Sequence, residues 1–198
     1  MTNQHAYIPL HELADLLAGA PTKVVRGGRA QDSLPVLSVR SLRGGRIDPS
    51  EIAETSPQVS DVARYRARPG DVIVPARSTF FTAAVLPEEL DGVTISSTLI
   101  RIRCGEELHP RVLAAFLRHP NGLAAVEAIS QSGAVQMNIT VRGLGELLIP
   151  LPPWSEQERI AAMLEAADAA YFAAIESAEL RRSLAGEVVM LAMAGADL

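Results

Sequence analysis

The chain has 198 residues, of which 48% are hydrophobic and 21% charged, and its formal net charge is −5 at pH 7. This composition is typical of a folded globular protein of one or two domains and excludes a disordered chain. No apolar run approaches the ~20 residues of a membrane-spanning helix, and the first residues lack the pattern of a secretory signal. Cys104 is the only cysteine, which excludes an internal disulfide. Together these features predict a cytoplasmic protein.

The first half of the chain predicts one short helix followed by strands and turns. Leucines at helical spacing favour an opening helix over residues 9–17. Residues 34–39 are typical of a buried strand, and residues 42–47 of a glycine turn leading to a short strand. Residues 71–75 predict a strand closed by proline. Signals over residues 52–64 are mixed and support no prediction.

The second half predicts further strands around a pair of helices. Strands are expected over residues 80–86 and 93–103. Helical spacing over residues 110–117 ends at a break near His119, and a second helix follows over residues 123–129. The last predicted strand, residues 147–149, lies just before a proline-rich segment. This order indicates an α+β fold with a curved, mainly antiparallel sheet and short helices.

A proline-rich junction follows that strand. Pro150, Pro152 and Pro153 fix the backbone and are expected to take the chain out of any sheet or helix. Ser155 and Glu158 have the spacing of a capping box, which predicts the start of a helix. The sequence thus predicts a globular domain over residues 1–153, a stiff joint and a long helix over residues 154–198.

The predicted C-terminal helix carries small and apolar residues at steps of three and four. They are Ile160, Met163, Leu164, Ala167, Tyr171, Ala174, Ala178, Ala185, Val188 and Ala192. This spacing predicts one stripe along a helix of nine or ten turns, weakly interrupted by Gly186. A second copy of the helix or another subunit would cover such a stripe. The alternative is that the helix folds back over the sheet of its own domain.

Charge is unevenly distributed along the chain. Residues 22–143 contain 15 Lys and Arg against 12 Asp and Glu, whereas residues 144–198 contain 3 against 9. Within residues 23–46, Asp32 is the only acidic side chain among six basic ones. Such a local positive field suits phosphate binding. A solvated arginine-rich surface would give the same pattern, and the sequence leaves both interpretations open.

Signatures of enzymes are absent from the sequence. The four histidines lack a cysteine or carboxylate at metal-ligand spacing, and Cys104 has no neighbouring base. Lys23 is the only lysine, which argues against a metal-dependent nuclease. No phosphate-binding loop or methyltransferase motif occurs, and the glycines of residues 142–146 are typical of a turn. We therefore expect no covalent chemistry, no cofactor and no metal.

Groups suited to binding DNA are better represented. Arginines in turns can contact phosphates or guanine, and amide side chains can contact adenine edges. A solvated arginine, or an Asn138 that caps a turn, is the alternative. The candidate DNA-binding residues are Lys23, Arg26, Arg29, Arg40, Ser41, Arg43, Arg46, Arg77, Ser78, Thr79, Ser132, Gln136 and Asn138.

The junction resembles that of the specificity subunits of type I restriction–modification enzymes. The resemblance rests on Pro-Leu-Pro-Pro at residues 150–153, followed by Ser155, Glu156 and Gln157. Looser matches run in the same order along nearly the whole chain, at residues 8–13, 34–47, 68–74, 113–117 and 130–139. Two departures concern side chains: the helix at 113–117 lacks the family's tyrosine, and Arg77 stands where the family often has a glycine. A third is that this chain has one recognition domain and one spacer helix, where the family usually has two.

The resemblance implies a non-catalytic subunit that recognises half of a split double-stranded DNA site for a defence system. Its helix would form a coiled coil with a second copy, giving a homodimer, and would dock a methyltransferase subunit and, with it, a restriction or translocase subunit. The implied interface residues are Ile160, Met163, Leu164, Ala167, Tyr171, Ala174 and Val188. A homodimer would recognise an inverted repeat. The alternatives are an assembly protein that has the recognition fold without DNA reading, and an enzyme that acts alone.

Overall fold

The computed structural model describes residues 6–23, 33–130 and 136–194, with the backbone alone for Lys23. The strands within these ranges are β1 (Ala6–Pro9), β2 (Ala14–Ala18), β3 (Thr22–Lys23), β4 (Leu34–Leu37), β5 (Leu42–Arg43), β6 (Arg46–Ile47), β7 (Ala53–Pro57), β8 (Val72–Pro75), β9 (Arg77–Ser78), β10 (Ala84–Val85), β11 (Thr94–Ile95), β12 (Leu99–Cys104), β13 (Met137–Asn138) and β14 (Leu148–Leu151). The α-helices are α1 (Leu10–Leu13), α2 (Pro110–Arg118), α3 (Pro120–Ile129), α4 (Val141–Gly145) and α5 (Trp154–Met193). Short 3-10 helices lie at Val39–Ser41, Pro49–Glu51, Ala63–Tyr65 and Glu88–Leu90.

The chain divides into two compact units, Met1–Glu158 and Arg159–Leu198. The strands described above all lie in the first unit, and the second consists of the greater part of α5. The α+β fold with antiparallel sheets, short helices and a long C-terminal helix was predicted from the sequence and is confirmed.

A four-stranded sheet forms the centre of the first unit, in the order β10-β8-β12-β2 with every neighbouring pair antiparallel. All four residues of its strand β8 are buried. Since successive side chains of a strand point to opposite sides, both faces of β8 are covered. Val72 and Val74 pack into one hydrophobic core, and Ile73 packs into the other. The predicted strand over residues 71–75 is therefore confirmed, and it lies at the centre of the molecule.

The two cores differ in what covers the sheet. Helices close the first core: Leu10, Leu113 and Val126 of α1, α2 and α3 pack there. A second four-stranded sheet, in the order β11-β4-β7-β3, supplies Leu37 and Ile95 to the other core. Most pairs in this second sheet are antiparallel, but β11 and β4 are parallel.

A glycine allows the two sheets to approach each other. The Ala20 N–H donates to the Ile95 carbonyl at 2.8 Å, and the Ser97 N–H donates to the Ala20 carbonyl at 2.7 Å. A Cβ atom added to Gly19 would lie 2.1 Å from the Ser96 carbonyl oxygen. The chain passes between the sheets at this point because Gly19 has no side chain.

The predicted opening helix is wrong over most of its length. Helix α1 covers only Leu10–Leu13, and the chain continues as strand β2. Leu17 of this strand lies opposite Arg101 in the central sheet. Leucine spacing favoured a helix locally, but strand pairing with a distant segment decides the conformation of residues 14–18.

Other local predictions need smaller corrections. The strand expected over residues 80–86 is confined to Ala84–Val85, and the one over 93–103 is two strands, Thr94–Ile95 and Leu99–Cys104. A strand, Ala53–Pro57, lies where the sequence signals were mixed. The segment predicted as a turn near residue 143 is the short helix α4, which begins where the Thr140 hydroxyl accepts the Gly143 N–H.

The junction also differs from the prediction. Pro150 lies within β14, directly opposite Tyr7 of β1, in a two-stranded pairing. A proline is tolerated there because that position does not need to donate to a further strand. Helix α5 begins at Trp154, so Ser155 is its second residue and the predicted capping box is wrong. The Pro153 carbonyl accepts the N–H of Gln157 at 3.1 Å in the first turn.

Candidate nucleic-acid interface

Two of the predicted DNA-facing segments meet in the folded chain. Strands β9 and β13 pair so that Asn138 lies opposite Arg77 and Met137 opposite Ser78. The Ile139 N–H donates to the Ala76 carbonyl at 2.8 Å and extends the pairing by one bond. The segment 77–79 follows the central strand β8 directly, so the rigid sheet positions it. An exposed guanidinium and a half-buried amide are thereby held side by side.

The members of this paired segment differ in their exposure. Arg77, Thr79 and Gln136 are exposed, and each can reach a ligand. Ser78 is buried, and its hydroxyl accepts the Phe80 N–H at 3.1 Å. Ser78 therefore shapes the turn, and its role as a DNA contact stays a prediction that its burial does not favour. Phe80 is 45% exposed and was missed; the aromatic residue just after Thr79 was the available signal.

A glycine hairpin presents the second group of predicted arginines. Strands β5 and β6 pair with Arg43 opposite Arg46, and the turn between them consists of Gly44 and Gly45. These glycines have φ angles of 57° and 82°, in the left-handed region that other residues rarely adopt. The turn therefore depends on both glycines and leaves the two arginines exposed on its flanks.

One buried contact anchors this hairpin to the centre of the first unit. Arg118 of α2 donates from Nη1 to the carbonyls of Gly45 at 3.0 Å and Ala83 at 3.1 Å. Ala84 lies opposite Ile73, so Ala83 is beside Val74 near the end of β8. Arg77 follows three residues later, about 10 Å along an extended chain. The hairpin turn and the segment 77–79 therefore lie near the same end of the central strand.

Charges within the hairpin partly offset one another. Arg43 Nη2 lies 2.6 Å from Glu51 Oε1, in an ion pair that is largely exposed. The pKa of Asp48 is lowered, first by the hydrogen bond from the Ser50 hydroxyl, then by that from the Ser50 N–H, and less by the charges of Arg43 and Arg46. The Asp48 carboxylate accordingly stays ionised and fixes the loop after the hairpin. The field here is positive, but less so than the arginine count alone suggests.

The remaining predicted contacts have different outcomes. Arg40 is exposed on the 3-10 helix Val39–Ser41. Ser41 is fully buried and donates its hydroxyl to the Glu51 carbonyl at 3.1 Å, so its role as a DNA contact stays a prediction that its burial does not favour. For Lys23 the structure describes the backbone alone. It lies in β3, opposite Ser56 of β7. Arg26, Arg29 and Ser132 lie outside the described residues.

The predicted interface residues of the C-terminal helix are largely exposed. Met163, Tyr171 and Val188 are 65%, 60% and 46% exposed, Ala167 and Ala174 are also exposed, and Ile160 and Leu164 are half-buried. The helix also carries exposed leucines that the predicted stripe omitted: Leu180, Leu184 and Leu191. Leu180 follows Tyr171 by two and a half turns, which places it on the opposite side. In its last turns the helix is therefore apolar on two sides. The spacing of four and seven residues between these three leucines was the sequence signal for the second side.

In the described ranges, no three His, Cys, Asp or Glu side chains come together where they could hold a metal ion. Burial, and then the charge of Asp71, raise the pKa of Cys104 to about 12. This thiol stays protonated at neutral pH and is a poor nucleophile. Among these same residues, no helix is both long enough and apolar enough to cross a membrane.

Comparisons with known proteins identify the fold. No protein-family model and no curated protein sequence matches the chain. A chain from a study of complex assembly and conformational transition of the type I R-M system matches with a TM-score of 0.62 and 24% identity, over 98% of this chain and 44% of that one. The HsdS subunit from Thermoanaerobacter tengcongensis has the same TM-score and 22% identity, over 87% and 39%. In fold, the chain is similar to type I specificity subunits.

A third structure agrees with this result. The type I restriction–modification S subunit from M. genitalium matches with a TM-score of 0.62 and 17% identity, over 96% of this chain and 46% of that one. The chain thus spans less than half the length of each of these proteins. The resemblance inferred from the junction is confirmed for the fold along nearly the whole chain.

Proposed function

We propose that this chain is a target-recognition module that binds double-stranded DNA sequence-specifically within a restriction–modification or related defence complex. The observation that carries the proposal is the fold, shared with type I specificity subunits over up to 98% of the chain. The module itself would be non-catalytic and would direct a methyltransferase or nuclease partner to its site. The paired segments of β9 and β13 supply the chemistry for recognition.

The exposed side chains near the end of β8 divide into two roles. Arg43 and Arg46 flank an exposed glycine turn and suit phosphate oxygens, which position a protein on DNA without reading sequence. Arg77 and Asn138 are held side by side on a rigid sheet and suit bidentate contacts with guanine and adenine in the major groove. Each such base contact contributes about 1–3 kcal/mol of discrimination.

The C-terminal helix would supply the protein contacts. Its exposed apolar residues lie on two sides, and one helix in a coiled coil covers only one of them. We infer that the side bearing Met163 and Tyr171 pairs with the helix of a second copy. The side bearing Leu180 and Leu184 then remains for a methyltransferase subunit. Two modules related by a two-fold axis would bind an inverted repeat.

A second candidate function is assembly without DNA reading. Residues 144–198 contain 3 basic against 9 acidic residues, and the whole chain has a net charge of −5. A polyanion such as DNA is repelled by such a balance, so this candidate explains the charge more simply. The uneven distribution favours the DNA proposal, because the excess of acidic residues lies in and near the helix and not in the body.

Salt dependence separates these two functions. We would measure the affinity of the purified chain for a random-sequence duplex pool across a series of salt concentrations. Several phosphate contacts make the logarithm of affinity fall linearly with the logarithm of salt, at a slope of roughly −0.9 per contact. The proposal predicts a slope of about −3 or steeper. A chain with native circular dichroism that binds no duplex even at low salt would favour the assembly function.

A further inference from the structure

A pocket lined by arginines lies at the other end of the central strand from Arg77. Its volume is about 490 Å³, and its lining combines a short loop before β8, the loop before β11 and the strand β12. The charged residues that line it are Arg64, Arg66, Arg68, Asp91, Arg101 and Arg103. The remaining lining residues are two alanines and a glycine, so the chemistry of the pocket is almost entirely that of guanidinium groups.

Arg101 is the buried centre of this pocket. The residue is 5% exposed, and Asp15 Oδ2 lies 2.6 Å from its Nη2 atom. Its Nη1 atom makes two long hydrogen bonds of 3.4 Å to the carbonyls of Arg64 and Arg66. Its Nε–H is buried with no hydrogen-bond partner among the described residues. A buried donor without a partner destabilises the unliganded protein, and a bound acceptor would offset that cost.

Arg103 is held rigidly beside it. Asp71, itself 2% exposed, accepts from Arg103 Nε at 2.8 Å and Nη2 at 2.7 Å. The Asp71 carboxylate also accepts the Arg68 N–H at 2.7 Å, which fixes the start of the loop that leads into β8. These contacts pre-organise one wall of the pocket. Ordering arginine side chains is costly, so a pre-organised wall favours ligand binding.

The other wall carries three exposed arginines. Arg64, Arg66 and Arg68 are exposed, and within the part of the chain that the structure describes none of them forms a salt bridge. They alternate at two-residue spacing, and Arg66 has an extended backbone, with φ −75° and ψ 132°. An extended chain from Arg64 to Arg68 spans at most about 13 Å. Asp91 lies in the same lining, but it is exposed, and water screens its repulsion of an anion.

We propose that this pocket binds the phosphate backbone of duplex DNA, as a contact separate from that of Arg77 and Asn138. The inference rests on the proposed function and adds a site to it. Several guanidinium groups converge in this pocket with no amide or hydroxyl side chain among its lining residues, and such a cluster of positive charge suits phosphates. Its arginines span more than one phosphate, because phosphates of one strand recur every ~3.4 Å along the helix axis. The two contacts lie beyond opposite ends of strand β8, which is four residues or about 13 Å long.

Paired double variants test this proposal. Arg64→Ala/Arg66→Ala removes two exposed charges of the pocket and keeps the carbonyls that contact Arg101. Arg181→Ala/Arg182→Ala removes two exposed charges of α5 as a matched control. Binding to the random duplex pool should weaken on the order of tenfold at low salt for the pocket variant, and its salt slope should become shallower by about one to two. The control should retain the wild-type slope.

The outcomes distinguish the pocket from the function it rests on. A wild-type salt slope in the pocket variant would overturn the pocket assignment and leave DNA binding intact. A wild-type protein that binds no duplex would overturn the proposed function itself. An NMR measurement identifies the ligand: the Arg101 Nε–H signal should shift on adding a short duplex. An equal shift with inorganic phosphate at the same phosphate concentration would make the pocket a small-anion site and contradict the proposal.

Discussion

Asn138 lies directly opposite Arg77 in a two-residue antiparallel pairing, although the two residues are far apart in the chain. The pairing begins where the buried strand β8 ends, so a strand of the hydrophobic core leads directly into it. Rigid placement is what a base contact requires, since a loose side chain pays for its ordering when it binds. The paired segment is therefore where we expect sequence to be read.

The hairpin arginines should contribute to binding without supporting the fold. Arg43→Ala/Arg46→Ala removes an exposed ion pair to Glu51, and such pairs contribute at most about 1 kcal/mol to stability. We expect the free energy of unfolding, from urea titration, to change by less than about 1 kcal/mol. Duplex affinity should fall by a similar factor for every DNA sequence, and the salt slope should become shallower by about one to two. A variant that unfolds would show that these arginines are structural.

Gln157 should be a structural residue of the junction. Its side chain is 1% exposed, accepts the His109 N–H at 2.8 Å, and donates to the carbonyls of Glu107 and Pro152 at 2.9 Å each. Gln157→Ala removes three hydrogen bonds to backbone groups, those of His109, Glu107 and Pro152. We expect a loss of about 2–4 kcal/mol in the free energy of unfolding, measured by denaturant titration.

Ser155→Ala is the matched control for Gln157. Ser155 is exposed in the first turn of α5. Loss of a true N-cap hydroxyl would cost about 1 kcal/mol. The structure predicts a smaller effect, because Ser155 is not the residue that begins the helix. A cost for Ser155→Ala that equals the cost for Gln157→Ala would restore the capping box and contradict the role of Gln157.

Cys104 should make stability fall at high pH. Burial raises its pKa in the folded protein to about 12 from an ordinary value of 9.0. Between these values the thiol is ionised in the unfolded chain and protonated in the folded chain, which favours unfolding. The thiol therefore does not reduce the free energy of unfolding below pH ~9, and it reduces it increasingly as the pH rises towards ~12. Cys104→Ala should weaken this dependence in a comparison of unfolding at pH 8 and pH 10. Rapid reaction of the native thiol with a disulfide reagent at pH 8 would contradict the burial.

The C-terminal helix should mediate self-association. Charged residues at Ile160, Leu164 and Tyr171 should convert a dimer to a monomer, because an unpaired charge in a helix seam is costly to bury. Static light scattering on the full chain measures the mass of each species. Ala169→Glu places a charge at an exposed position outside the predicted stripe and should leave the dimer intact. A monomeric wild-type protein at micromolar concentration would rule out self-association through this helix.

The sequence predicted the elements that depend on local signals. Helix α2, the central strand β8 and the long helix α5 follow from spacing and proline positions within single segments. Strand β2 could not be predicted, because its conformation depends on pairing with β12 more than eighty residues away. Burial could not be predicted from local signals either: Ser41 and Ser78 have the same chemistry as exposed serines, but both are buried and bond to backbone groups.

The candidate site shows the same limit. The arginine hairpin was evident from Arg43, two glycines and Arg46, which lie together in sequence. The pocket around Arg101 could not be predicted, because its lining residues come from three separate segments. In addition, Arg101 pairs with Asp15 and Arg103 pairs with Asp71. Only folding brings Arg64, Arg66 and Arg68 beside the strand that bears Arg101.

The central claim is that this chain reads DNA sequence, and selection from a random duplex pool followed by sequencing tests it most directly. The bound fraction of the wild-type chain should be enriched in one short sequence, present as an inverted repeat if the chain pairs through its helix. Asn138→Ala should bind the pool with a similar salt slope but lose the preference at one position, with Asn121→Ala as the matched control. A wild-type chain that binds the pool with no sequence enrichment would contradict the claim.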